Sequence, residues 1–266
     1  MTKQTSFRIA TYNILATSYI RPNYYPDTPM ELLDERHRIP VLVRYLIDLQ
    51  ADVYCLQEVE HNTFHAIDAA LRPMGYGRRL AKKGGLRPDG CATFFHRRRF
   101  DLVDAARLEY EEGLGQSSSG HVAQIMVLEC GARRIGVANT HLKWDPAGLP
   151  PAQQYGYQEA RELLSTLQAE PHRDIPWLIC GDLNADPTSD AVHAFVQAGF
   201  TFTHATQHSG ATCNANRKAK MIDYIFHQTS LRSHPEPLTA VGDTTPLPGP
   251  TEPSDHVPVV ARFEWE

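Results

Sequence analysis

Six apolar stretches of this chain end on, or are interrupted by, polar side chains of the kinds that handle protons and metal ions. Asn13 lies inside IATYNIL, Glu58 closes VYCLQEVE, and Asn139 and His141 close IGVANTHLKW. Asp182 and Asn184 follow WLIC, Asp223 interrupts MIDYIF, and Asp255 and His256 precede VPVVARFEW. Each alone has an ordinary structural explanation: a bulge Asn, a solvated Glu, an Asx turn. Buried singly and unpaired, each would cost about 1–3 kcal/mol. Gathered in one cleft, they can satisfy one another and a cation. Carboxylate and amide oxygens with no cysteine ligand suit a hard ion, Mg²⁺ or Mn²⁺, which keeps waters and shares its sphere with phosphate. Two histidines and the remaining carboxylates supply groups to activate water and steady phosphoryl oxygens. A metal-assisted phosphoester hydrolase needs this inventory.

The elements that must carry these residues are mostly strands. Strand-like segments recur at 8–15, 52–57, 91–96, 122–130, 134–140, 177–180, 221–227 and 257–265, with a hairpin turning at Gly131. Helical patterns cover 39–49 after a break at Pro40, 63–71, 153–167 and 189–198, the last capped by Thr188 or Ser189. Many strands and few helices, without strict alternation, predict stacked sheets flanked by helices rather than a parallel doubly wound fold. The segments 111–120 (EEGLGQSSSG) and 243–253 (DTTPLPGPTEP) read as long surface loops. No internal repeat or low-complexity linker divides the chain, so a single domain over 1–266 is expected.

Composition sets the outer limits. A net charge of −5 gives no global footprint for a long nucleic-acid duplex. A short oligonucleotide, an RNA end or a nucleotide remains within reach of local basic clusters. The five cysteines form no CxxC pair and sit mostly beside apolar runs, which points to a reducing compartment and a cytoplasmic location. No apolar run approaches membrane-spanning length, so no membrane partner is expected, and no obligate protein partner is evident.

In order along the chain, TYNIL, LQEVE, NTHLKWDP, GDLNADP, IDYIF and PSDHVPV resemble the motifs of the endonuclease/exonuclease/phosphatase superfamily. DGCATFFHRRRF, with NTHLKWDP, is similar to its branch of nocturnin, Angel and carbon-catabolite-repression deadenylases. The resemblance runs from Arg8 to Phe263. It implies a deoxyribonuclease I-like α+β fold, a four-layer sandwich of two mainly antiparallel sheets between helices. It implies Glu58 as the principal Mg²⁺ ligand, with Asn13 beside it and the scissile phosphate, and Asp255 in the metal region. Asp182 would orient or deprotonate the attacking water, and Asn184 would contact phosphate. His141 would stabilise the transition state, and His256 would bond a phosphoryl oxygen while Asp223 holds its ring. Leu15 stands where some members carry an acid, which argues for one Mg²⁺. Implied substrates are RNA 3′ ends, 2′,3′-cyclic phosphates or the 2′-phosphate of NADP. Sphingomyelin or phosphoinositide hydrolysis, or a non-catalytic nucleotide-binding module, are the alternatives.

Other features have blander readings. The pairs His61/His65 and His204/His208 stand at i and i+4, but HNTFH lacks the Glu of the zinc-protease pattern and neither pair has an obvious third ligand. HRRRF reads as a solvated strand edge. Of the basic residues before DGCATFF, Lys82 is the candidate for holding substrate phosphate, as related enzymes do near this point. Asn214 is a substrate contact or an Asx turn. Trp144 is a cleft wall for stacking a base or an ordinary packing residue.

Overall fold

The computed structural model describes residues 6–111, 118–169, 171, 173–205 and 210–266. Its strands are β1 (Ser6–Asn13), β2 (Val53–Gln57), β3 (Tyr76–Lys82), β4 (Gly90–His96), β5 (Asp101–Glu109), β6 (Val122–Cys130) and β7 (Arg133–His141). They continue with β8 (Trp177–Asp182), β9 (Thr201–Phe202), β10 (Cys213–Ala215), β11 (Lys218–Lys220), β12 (Asp223–His227), β13 (Leu231–Pro235) and β14 (Val259–Trp265). The helices are α1 (Met30–Leu33), α2 (Glu35–Leu49), α3 (His61–Leu71), α4 (Tyr155–Leu167) and α5 (Asp190–Gln197).

One six-stranded sheet runs β13-β14-β1-β2-β4-β3 and the other β5-β6-β7-β8-β12-β9, with β10 and β11 as a separate hairpin. Each sheet is antiparallel except at one central pair, β1 with β2 and β7 with β8. Period-two alternation divides the apolar side chains between layers. In β1, Phe7 and Ile9 face the core between the sheets, while Ala10 and Tyr12 face α2 and α3. In β8, Leu178 and Cys180 face that inter-sheet core, while Trp177 and Ile179 pack with Leu163, Leu167 and Phe195 of α4 and α5. The result is the expected sandwich: helices, sheet, sheet, helices.

Topology places the site. β1 and β2 are parallel, as are β7 and β8, and the Asn13–Asp182 hydrogen bond brings the ends of the two pairs together, so all four deliver their last residues to the same end of the sandwich. Those residues are Asn13, Gln57 (followed by Glu58), His141 and Asp182. β12 runs antiparallel to β8 and β14 antiparallel to β1, so each begins at that end, bringing Asp223 and the 255–256 pair with it.

Several boundaries differ from the expected ones. α2 begins at Glu35, five residues before Pro40, because Asp34 caps it through the Arg36 N–H and Pro40 forfeits only the bond to the exposed Arg36 carbonyl. β3 and β5 carry too little apolar alternation to be read as strands: β3 contains Arg78 and Arg79, and β5 is almost wholly exposed at a sheet edge. Ser189 rather than Thr188 caps α5, accepting from the Val192 N–H at 3.3 Å. The loop expected over 111–120 falls mostly outside the described residues, as does His208 of the second histidine pair.

Candidate active site

Asn13, at the end of β1, links the two sheets at the site. Its Nδ2 donates to Glu58 Oε1 at 3.1 Å and to Asp182 Oδ2 at 2.9 Å, while its Oδ1 accepts from the Leu15 N–H at 3.0 Å. Glu58 follows β2 in a left-handed backbone conformation (φ 57°) that turns the chain sharply, and its other oxygen accepts from the Ala16 N–H at 2.8 Å. Burial, with Asp255 adding its charge, raises the Glu58 pKa; Lys83 opposes that rise. Asp255 accepts from the Tyr25 hydroxyl at 3.0 Å, and Ser254 Oγ donates to the Asn13 carbonyl at 2.7 Å, tying this loop to the end of β1.

On the other sheet, Asp182 is fully buried. The strand end that carries it is followed by Asn184, at φ 50°, whose N–H donates to Asp182 Oδ1 at 2.8 Å. This is an Asx turn. Here the turn and the site are the same object, because the turn leaves Asp182 Oδ2 open to Asn13. His141 Nε2 lies 3.7 Å from that oxygen and His256 Nε2 3.8 Å. Burial, and then the charge of Asp223, push the Asp182 pKa up to about 7.

The two histidines are held in opposite states. His256 Nδ1 donates to Asp223 Oδ2 at 2.8 Å. Burial works against its charge, but the Asp223 carboxylate holds its pKa well above the ordinary histidine value. His141 is pushed well below that value by burial, then by Lys83, His121 and His256. Asn184 Nδ2 lies 3.0 Å from His141 Nε2 and donates to the Leu142 carbonyl at 2.9 Å.

The lysine expected from the sequence has a buried neighbour. Lys82 ends β3 with its side chain exposed, and it is the next residue that turns inward. Lys83 is 4% exposed, sits 2.8 Å from Asp89 and brings its Nζ within 3.3 Å of His141 Nδ1. Tyr19 donates to the same Asp89 at 2.6 Å. The signal for Lys83 was its adjacency to Lys82, and for Asp89 its place in DGCATFF; no motif marks Tyr19 or His121.

Two other residues do not join the cluster. Asn139 faces the inter-sheet interior, where its amide bonds Gln57, the Leu56 and Ala92 carbonyls and Thr93. Asn214 spends its amide N–H groups on the Gly242, Asp243 and Thr245 carbonyls, and its buried Oδ1 has no partner among the described residues. It braces that loop instead of facing a substrate. Trp144 is 58% exposed and lines a cleft of about 540 Å³ that adjoins Asn184 and includes Lys143, Asp186 and Lys220. His61 and His65 sit on the exposed face of α3 with their Nε2 atoms 3.1 Å apart.

Asp182, Asp223 and His256 present ligand atoms within 4.8 Å of one another, a grouping able to hold a metal ion. Among the described residues no helix is long and apolar enough to cross a membrane.

Comparison with known proteins identifies the family and the fold. Residues 10–256 match the model of the Endonuclease/Exonuclease/phosphatase family. Protein angel homolog 2 of Danio rerio is 33% identical over 193 residues, covering 69% of this chain and 34% of its own length. Human nocturnin is 26% identical over 289 residues, covering 97% of this chain and 65% of its own. The chain thus spans less than two thirds of either relative. The crystal structure of ANGEL2, a 2′,3′-cyclic phosphatase, with adenosine-2′,3′-vanadate superposes with a TM-score of 0.85 at 22% identity, over 100% of this chain and 97% of that one. The fold is therefore shared. The chain belongs to the endonuclease/exonuclease/phosphatase family, in the branch that holds nocturnin and the Angel proteins.

Proposed function

We propose that this chain hydrolyses phosphoesters at RNA ends or in nucleotides, using one Mg²⁺ ion for which Mn²⁺ substitutes. One observation carries the reading. The Asn13 amide spans Glu58 and Asp182, and both His141 and His256 stand within 4 Å of the Asp182 oxygen it bonds. A phosphorus centre between them would meet a carboxylate base, two imidazoles and a metal seat at once.

The donor set fits a hard divalent ion. It offers oxygens and no thiolate, and the pKa values of both Glu58 and Asp182 are raised, a crowding of buried negative charge that a cation relieves. Glu58 would hold the ion, with Asp255 in the same region. Bound there, it supplies Lewis-acid stabilisation of charge developing on phosphoryl oxygen.

The remaining work belongs to the chain. Asp182, a buried carboxylate whose pKa is raised by its burial and by Asp223, is suited to take a proton from the attacking water. His256, charged and held in its ring orientation by Asp223, donates from Nε2 to a phosphoryl oxygen. His141 and Asn184, joined at 3.0 Å, steady a neighbouring oxygen, and Lys83 adds positive charge behind them. The open cleft beside Trp144 leaves room for a nucleoside portion of the substrate.

The test is a panel of oligoadenylate, cyclic-phosphate-ended RNA, NADP and single-stranded DNA, incubated with Mg²⁺ or Mn²⁺ and read by mass spectrometry. The products separate phosphodiester from phosphomonoester cleavage. Turnover is expected with the metal and absent in EDTA. Glu58→Ala, Asp182→Ala and His256→Ala should each lose most turnover while remaining folded. Near-normal turnover in any of the three contradicts the assignment. Thermal stabilisation by Mg²⁺ and nucleotide without any product favours the binding-module alternative.

A further inference from the structure

Glu159 is a buried acid that the proposed chemistry does not use. It lies on the inner face of α4 among Ala160, Leu163 and Leu164, and is 1% exposed. Burying a carboxylate there is costly, and burial pushes its pKa up to about 7. Its two oxygens reach two different loops. Oε2 accepts from the Lys143 N–H at 2.7 Å, and Oε1 accepts from Ser119 Oγ at 2.9 Å.

Both loops lead to His141. Lys143 is two residues beyond it. Ser119 Oγ accepts in turn from the His121 N–H at 3.0 Å, and the His121 ring, through Nδ1, donates to the His141 carbonyl at 3.0 Å. Among the described residues, four partners tie the consecutive residues 141–143: His121 at the His141 carbonyl, the Asp182 carbonyl at the Leu142 N–H (3.0 Å), Asn184 at the Leu142 carbonyl and Glu159 at the Lys143 N–H. Glu159 alone acts on two of these ties, one directly and one through Ser119.

We propose that Glu159 is a positioning residue that locks the backbone from the His141 carbonyl to the Lys143 N–H and so fixes where the His141 imidazole stands against Asp182. The proposal rests on the reading of His141 as a group that meets the reacting phosphate. Glu159 touches no reacting atom, and its effect is through placement. A glutamine can keep the arrangement, because its carbonyl oxygen accepts from the Lys143 N–H while its amide donates to a rotated Ser119 hydroxyl.

The experiment compares Glu159→Ala, Glu159→Gln, Ser119→Ala and His141→Ala, with Mg²⁺ and the panel phosphoester that the unaltered protein turns over fastest. Glu159→Ala is expected to lower kcat about tenfold or more with KM changed by less than about threefold, since one misplaced group costs turnover and not binding. Glu159→Gln should restore kcat to within about threefold of the parent. Ser119→Ala, which removes one arm, should fall between. Imidazole ¹⁵N NMR should show the His141 signal shifted or broadened in Glu159→Ala and parent-like in Glu159→Gln. If Glu159→Ala does not fold, Ser119→Ala and Glu159→Gln decide. Parent-like kcat in Ser119→Ala, or a Glu159→Gln protein as impaired as His141→Ala, overturns the proposal. Parent-like kcat in Glu159→Ala with an inactive His141→Ala overturns it while leaving the reading of His141 intact. Full activity in His141→Ala overturns that reading itself.

Discussion

Asp223 stands directly across the β8–β12 ladder from Asp182, and the imidazole of His256 lies between their carboxylates, 2.8 Å from one and 3.8 Å from the other. Two acids in register on neighbouring strands would repel; one shared imidazolium makes the arrangement tolerable. It also sets a direction. The hydrogen bond from Nδ1 to Asp223 leaves Nε2, on the Asp182 side, as the nitrogen that can serve a substrate.

The first prediction concerns that charge. Asp223 holds the His256 pKa well above its ordinary value. A reaction needing the imidazolium therefore fails only as pH rises through that raised value. Asp223→Asn keeps an acceptor for Nδ1 but removes the charge, so the alkaline limb should move to lower pH. At pH 8 kcat should drop about tenfold or more, with substantial recovery at pH 6. A kcat–pH profile of the two proteins checks this. An unmoved alkaline limb would remove His256 from the role of proton donor.

The second prediction concerns stability without metal. Asp182 has its folded-state pKa raised from 3.8 to about 7, first by burial and then by Asp223. An acid so raised favours the folded state fully below its unfolded pKa, and that contribution is lost as pH climbs through the folded value. In EDTA the protein should therefore lose stability between about pH 4 and pH 7. Asp182→Asn should be more stable than the parent at pH 8 by on the order of 1–3 kcal/mol while losing its activity. Denaturant melts at the two pH values measure it. A parent equally stable at pH 4 and pH 8, with Asp182→Asn no better, would contradict the crowding of charge described for the site.

Much of this was legible in the sequence, and for a physical reason. Strands buried on both faces read as unbroken apolar runs, so a polar residue at the end of VYCLQ or WLIC stands out against its neighbours. Glu58, Asp182, Asn184, Asp223 and His256 were visible that way. Asn139 looked the same yet serves the interior, because a strand-end amide and a mid-sheet amide leave one signature along the chain. Lys83, one position beyond Lys82, carried no signal of its own. β3 opens on Tyr76-Gly77-Arg78-Arg79, so its alternation is weak and gives no hint that Lys82 points outward and Lys83 inward. Glu159 sits in a helix whose apolar spacing was read correctly, but nothing in that spacing says that the acid shares the buried face.

A third prediction separates the two lysines. Lys82→Ala should leave stability near the parent's, since its side chain is exposed, and any rise in KM would mark the phosphate contact expected of it. Lys83→Met removes the cation beside Asp89, itself 0% exposed, and should cost about 3–5 kcal/mol of stability. Replacing the pair, Lys83→Met with Asp89→Leu, should recover much of that stability, because no buried charge is left alone. Activity should nevertheless stay at least tenfold down, as Lys83 stands 3.3 Å from His141. Thermal melts and kcat on the same four proteins give the answer. Recovery of activity along with stability would make Lys83 purely structural.

The last prediction tests how the strand end places Asp182. Gly181 lies on β8 opposite Thr140 of β7, where a Cβ would come within 1.9 Å of the Thr140 carbonyl oxygen. That oxygen belongs to the backbone of a central parallel pair, so it cannot swing aside as a side-chain tip would. Gly181→Ala must therefore push β8 away from β7 at the residue before Asp182 and one before His141. The cost should be roughly 3 kcal/mol or more, in the range of overpacking at a buried backbone contact. Activity should fall further than stability alone explains, because the Asp182 and His141 side chains separate when the two strands do. The comparison is Gly131→Ala, at a hairpin turn with no atom within 4 Å of its added methyl and a backbone φ of 65°. That change should destabilise through backbone strain, by about 1–2 kcal/mol, and leave kcat of the folded protein unchanged. Equal effects of the two substitutions on kcat would mean that the close approach of β7 and β8 does not set the distance on which the proposed chemistry depends.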